Sequence, residues 1–240
     1  MPLHRTKLGH NCCVLAAVTF VSFAALMKPA LAQPARAEAK SSDHGPWALT
    51  AGLGFGNAVC DNDKPDSDCP VDGAFAIAFG GSWRFHKRFS LGAELAIWAF
   101  KIRDDWQGAL DDSATEVSFT SIYLAPHLRW HWFDGMSTKP YLQAGIGFGS
   151  VTARASNDTG TFKYSASGIV VPLAIGVEWR VGKRFRLGPQ AQAYLQISSQ
   201  ICSDEPGQAK ECHPPGQNQD GEREGLLLPW RIMVMGSFAL

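Results

Sequence analysis

Residues 169–197 read IVVPLAIGVEWRVGKRFRLGPQAQAYLQI. Ile169, Val171, Leu173, Ile175, Val177 and Trp179 are large and apolar, while Val170, Pro172, Ala174, Gly176, Glu178 and Arg180 between them are mostly small or charged. A period of two is the mark of a β-strand with one greasy face. After Gly182-Lys183 the alternation resumes, with Phe185, Leu187, Pro189, Ala191, Ala193, Leu195 and Ile197 on one face and Arg186, Gly188, Gln190, Gln192, Tyr194 and Gln196 on the other. The two runs predict a hairpin.

Which face is inside decides the class of protein. A soluble barrel turns its bulky residues inward and a charged coat outward. Here the less greasy face is too rich in Gly, Ala and Gln to be such a coat. The strands also exceed the usual soluble length of about 5–6 residues. A membrane strand takes about 9–11 residues, apolar toward lipid and small or polar toward the lumen. The greasy face is therefore read as lipid-facing.

The chain of 240 residues holds no apolar run of the length a membrane helix needs. At its start, Arg5 and Lys7 precede the apolar run Cys12 to Met27 and then Ala30-Leu31-Ala32. That is the order of a secretory signal with its small-residue cleavage site, which predicts a mature chain from Gln33; the run is too short for a membrane anchor. Without Arg5, Lys7 and Lys28 the mature chain carries 19 basic and 22 acidic residues, a net charge of −3. No basic patch with interleaved aromatics is present, which argues against nucleic acid as a partner.

Residues 33–45 form a small polar leader without periodicity, and residues 46–240 carry the strands. Alternation predicts strands at Trp47–Phe55, Ala74–Phe85, Phe89–Ile97, Ile122–Trp132, Leu142–Phe148, the two of the hairpin, and Leu226–Leu240. Short turns at 86–88, 134–138 and 181–183 alternate with long loops at 60–69, 101–116, 154–166 and 198–224. The fold this predicts is all-β, an eight-stranded antiparallel up-and-down transmembrane barrel, closed so that no strand edge is left unpaired in lipid. Trp47, Trp83, Phe85, Phe89, Trp130, Trp132, Trp179, Phe185 and Phe238 all fall at the short-turn ends, as one interfacial girdle.

From Trp47 to Leu240 the chain resembles the small eight-stranded outer-membrane barrels of Gram-negative bacteria, of the OmpA transmembrane-domain and OmpW types. The resemblance implies short turns in the periplasm and long loops outside the cell. It also implies outer-membrane lipid as the surroundings, no cofactor and a monomer.

Three groups of residues are candidates for function. Glu94, Arg129, Glu178, Arg186 and Arg231 point into the lumen. A three-residue turn at Val181-Gly182-Lys183 sets Trp179 opposite Phe185 and Glu178 opposite Arg186. Buried charges must pair, so the cluster is either a structural plug or, as in the barrels resembled, a gate for small solutes or ions. Four cysteines remain after export, Cys60, Cys69, Cys202 and Cys212. Disulfides are expected within each loop, Cys60–Cys69 and Cys202–Cys212, with cross-loop bridges as the alternative.

The loops form the third group. By the boundaries above they carry −3, −3, +1 and −4, against +6 on the barrel and its turns. Asp61, Asp63, Asp66 and Asp68 offer oxygen ligands for calcium, but Pro65 interrupts them, and the glycine and terminal glutamate of an EF-hand loop are missing, so a solvated loop is the better reading. A barrel enzyme acting on lipid acyl chains needs a Ser–His pair, and no serine is placed to be activated by the inward His127. The expected role is thus structural or surface-interacting, through the outer loops, with a narrow pore as the alternative. N-terminal sequencing of the protein recovered from the outer membrane should begin at Gln33; a chain that retains Met1 and its apolar run would contradict the signal reading.

Overall fold

The computed structural model describes residues 46–60, 71–102, 116–133, 137–157, 160–207, 209–214 and 227–240. Strands are β1 (Trp47–Cys60), β2 (Val71–His86), β3 (Phe89–Ile102), β4 (Glu116–His131), β5 (Thr138–Gly145), β6 (Gly147–Asn157), β7 (Gly160–Arg180), β8 (Phe185–Asp204), β9 (Glu211–His213) and β10 (Leu227–Ala239). All neighbours pair antiparallel, and pairing of β1 with β10, β10 with β8 and β8 with β7 closes the ring.

Two of the segments are halves of one ring strand. β5 and β6 pair with β4 and β7 in a single continuous register, interrupted only at Ile146. Proline explains the interruption. Pro126 on β4 and Pro172 on β7 flank this point and bring no N–H to the ladder, leaving Ile146 to donate to the Pro126 carbonyl at 3.3 Å. Counted this way the ring has eight strands, the predicted number. The ninth partner, β9, is a short addition to the outer part of β8.

Facing follows the predicted parity. Along β3, Ser90, Glu94, Ala96, Trp98, Phe100 and Ile102 are buried, while Leu91, Ala93 and Leu95 are exposed. The wall is greasy all round: Leu53, Phe55, Phe79, Ile122, Leu173 and Val234 each expose half or more of their surface. Such a surface is an aggregation hazard in water and the proper coat in lipid. At the short-turn end the girdle is present as ring contacts, Trp47 on Trp83, Trp83 on Phe85, Phe85 on Phe89 and Trp130 on Trp132, with centroids 5.4–6.4 Å apart.

Several boundaries differ from those predicted. The segments 154–166 and 198–224 were expected as loops, yet β6, β7 and β8 run on through Asn157, from Gly160 and to Asp204. β7 has 21 residues and β8 has 20, so each exceeds a membrane crossing by about ten residues, roughly 30 Å of strand. The reason the alternation was missed there is that its sign reverses. On β7 the outward positions change from Ile169 to Ser167, Ser165 and Lys163, while the axis-facing positions become Ala166, Tyr164 and Phe162. Beyond the greasy band β7 carries serine and lysine at its outward positions, and Phe162 and Tyr164 on the other side are themselves exposed. A β-bulge at Ser198–Ser199 shifts β8 by one residue, so that Ile201 falls on the axis-facing side and Cys202 on the outer side.

The hairpin register is also corrected. β7 ends at Arg180 and β8 begins at Phe185, a four-residue connection, and Trp179 faces Leu187 while Arg180 faces Arg186. Val181 and Gly182 both donate to the Phe185 carbonyl, which draws a fourth residue into the turn.

Tryptophan fluorescence tests the facing. In liposomes of lipids brominated on their acyl chains, Trp98→Phe should raise the fraction of emission that is quenched, and Trp179→Phe should lower it. The opposite order would mean that the two faces have been exchanged.

Candidate functional site

The lumen is filled in two storeys. The outer one is an apolar core of Ala58, Val71, Ala74, Ala76, Ala96, Trp98, Phe100, Tyr123, Val151, Val170 and Tyr194, with Phe119 packed against it. Trp98 meets Tyr123 and Tyr194 edge to face, and the two tyrosine rings stack at 4.6 Å.

Beneath it lie the charges. Glu94 Oε1 accepts hydrogen bonds from Arg231 Nη2, from the Tyr194 hydroxyl at 2.9 Å and from Gln192 Nε2 at 3.1 Å. The Arg231 guanidinium is wholly buried and lies 5.2 Å from the Tyr194 ring centre and 5.6 Å from that of Trp98. Nearer the short turns, Arg129 Nη1 donates to Glu178 Oε1 at 2.7 Å, and its Nε and Nη2 donate to Gln143 Oε1. Its guanidinium sits 4.3 Å over the Tyr141 ring, within cation–π range.

A relay joins the two pairs. The Tyr141 hydroxyl donates to Gln190 Oε1 at 2.6 Å, Gln190 Nε2 donates to Gln192 Oε1 at 2.7 Å, and Gln192 reaches Glu94. The network thus runs through β3, β4, β5, β7, β8 and β10. Small residues make room for it: in cross-strand register, Gly92 lies under the His127 ring, Gly149 under Tyr123 and Gly176 under Tyr141, where any Cβ would strike the ring.

Of the five lumenal charges predicted, the structure joins Glu94 with Arg231 and Arg129 with Glu178. Arg186 is not the partner of Glu178, although the carboxylate lies near enough to act on it electrostatically. The two-position shift of the hairpin places Arg180, not Glu178, opposite Arg186, and the Glu178 carboxylate is taken by Arg129, which reaches it over the intervening β5. The expectation of a Glu178–Arg186 pair is therefore overturned.

Cys202 and Cys212 are bonded, opposite one another on β8 and β9. Cys69, the partner expected for Cys60, and the candidate ligands Asp61, Asp63, Asp66 and Asp68 lie outside the described residues. His127 is buried in the lumen against Gly92.

Sequence reading missed Trp98, Phe100, Tyr141, Lys139 and His131 as lumen residues. Trp98 and Phe100 share the parity of Glu94, but lie beyond the point where that strand was expected to end. His131 lies at the end of its predicted strand with the parity of Arg129, and Lys139 lies between the predicted turn and the strand from Leu142; both are buried.

Comparison with known proteins follows the same lines. The outer membrane protein beta-barrel domain family matches the chain over residues 16–204. No curated protein sequence is recognisably similar to it. Among solved structures, Neisserial surface protein A superposes with a TM-score of 0.54 at 8% identity, over 83% of this chain and 100% of that one. OprG from Pseudomonas aeruginosa superposes with a TM-score of 0.50 at 9% identity, over 83% and 98%. At such identities the likeness is one of fold. With most of its length matched by the family, the chain belongs to the outer membrane protein β-barrel family and resides in the outer membrane of a Gram-negative cell.

Proposed function

We propose that the chain is a closed barrel whose work is done by its outer end, in a structural or surface-interaction role. The observation that carries this reading is the filled lumen, in which Trp98, Gln190 and Arg231 are wholly buried and Tyr123, Tyr141 and Tyr194 nearly so. Packing of that kind leaves no water column through which a solute could pass. What the barrel offers its surroundings is the sheet that β6, β7, β8 and β9 raise beyond the greasy band. Phe162 and Tyr164 are exposed on its axis-facing side. The Cys202–Cys212 bond closes its edge hairpin.

In this reading residues 1–32 are removed on export and residues 33–45 form a tether before the barrel of 46–240. The short turns face the periplasm and the long connections face outward as a monomer's binding surface for an extracellular ligand. A non-enzymatic role suits the lumen, since His127 is enclosed there rather than set at a lipid edge beside a nucleophile.

The alternative is a narrow pore opened by exchange of lumenal pairs. One observation favours it: Glu178 is bonded to Arg129 while Lys139 stands directly opposite it on β5, so the carboxylate has a second cation beside it.

Flux separates the two readings. Liposomes carrying the refolded protein should take up small sugars and ions no faster than empty liposomes. Cells in which segment 199–226 is exchanged for an unrelated loop should keep a folded barrel yet lose surface attachment. Flux that the intact protein supports, and that Glu178→Ala alters, would replace this reading by the pore.

A further inference from the structure

Among the described residues, the short-turn mouth of the lumen gathers more cations than carboxylates. Arg186 points inward from β8, with Arg180 directly opposite on β7 and Ser237 opposite on β10. Its Nη1 is buried and has no hydrogen-bond partner among the described residues. Glu178, Arg180 and Arg84, the last from β2, all lie close enough to act on Arg186 electrostatically, and Glu178, the one anion of the three, is bonded to Arg129. Arg129 and Lys139 complete the cluster around His131.

Against these cations the described residues of this end supply one side-chain carboxylate, Glu178, and Arg129 holds it at 2.7 Å. Asp134, in the turn before β5, lies outside the described residues. Like charges directly opposite one another on paired strands repel, and a buried guanidinium nitrogen without an acceptor is costly. Both conditions are relieved by one anion between the arginines. Guanidinium forks fit tetrahedral and planar oxyanions through paired hydrogen bonds, and the buried Nη1 of Arg186 would make the strongest of them.

We propose that the short-turn mouth of the lumen is a binding site for a small oxyanion of the phosphate class, held by Arg186 with Arg180 and Arg84. Arg186 supplies the buried donor, and the other two supply charge from the rim. The site is distinct from the Glu94–Arg231 and Arg129–Glu178 pairs and does not depend on the role of the outer sheet.

The test uses the full mature chain folded in a maltoside detergent, which carries no phosphate of its own. Inorganic phosphate is titrated at constant ionic strength, with sodium chloride making up the difference, and thermal unfolding is followed. The intact protein should show a saturable rise in Tm with phosphate. In Arg186→Gln the apparent Kd should rise about tenfold or more, as expected for losing one charge-assisted hydrogen bond, while Tm in chloride alone is unchanged or higher because a repulsion is removed. Equal phosphate responses in the intact protein and the variant would overturn the site. So would a chloride response of the same size. If Arg186→Gln fails to fold, Arg180→Gln decides: a Kd raised about threefold or more supports the site, and an unchanged Kd refutes it.

Discussion

A charge that enters the lumen of an eight-stranded barrel has nowhere to go but to another side chain. The interior is only wide enough to be filled, and desolvating an ion without a partner costs several kcal/mol. The arrangement of the inner storey follows from that constraint. Glu94 gathers Arg231, Gln192 and Tyr194, and Glu178 takes Arg129, whose other nitrogens are occupied by Gln143. Gly149 and Gly176 lie where the Tyr123 and Tyr141 rings cross a neighbouring strand, so the packing of the lumen dictates even positions without side chains.

The outer storey solves a different problem. Past Ile169 on β7 and Ile97 on β3 the outward positions gain Ser167, Ser165 and Lys101, while Trp98 and Phe100 are buried in the lumen and Tyr164 stays exposed. Lipid requires the greasy side out, and water requires it in. One continuous strand therefore marks the height at which its solvent changes. The apolar core of Trp98, Tyr123 and Tyr194 lies in the lumen behind that change.

Much of this was legible in the sequence, because period-two alternation depends on parity alone. Strand count, inward and outward sides, girdle and outer-membrane class all follow from runs such as 169–179 and 226–240. What could not be read was any feature set by a single residue of register. The turn between β7 and β8 has four residues rather than three, which moved Glu178 away from Arg186. A greasy-out rule also stops working where the solvent changes, which is why it predicts loops over the outer lengths of β6, β7 and β8. Long-range partners such as Glu94 with Arg231, 137 residues apart, depend on ring closure and shear and carry no local signature.

The central claim is that lumenal charges are held by one another, and a double-mutant cycle on Glu94 and Arg231 tests it most directly. Unfolding free energy is measured by urea titration in lipid for Glu94→Met, Arg231→Met and the double variant. Each single replacement leaves an unpaired buried charge and should cost about 3–5 kcal/mol. The double replacement removes both charges and should cost much less than the sum. Strictly additive losses would show that the two side chains are held independently and that the paired-lumen account is wrong.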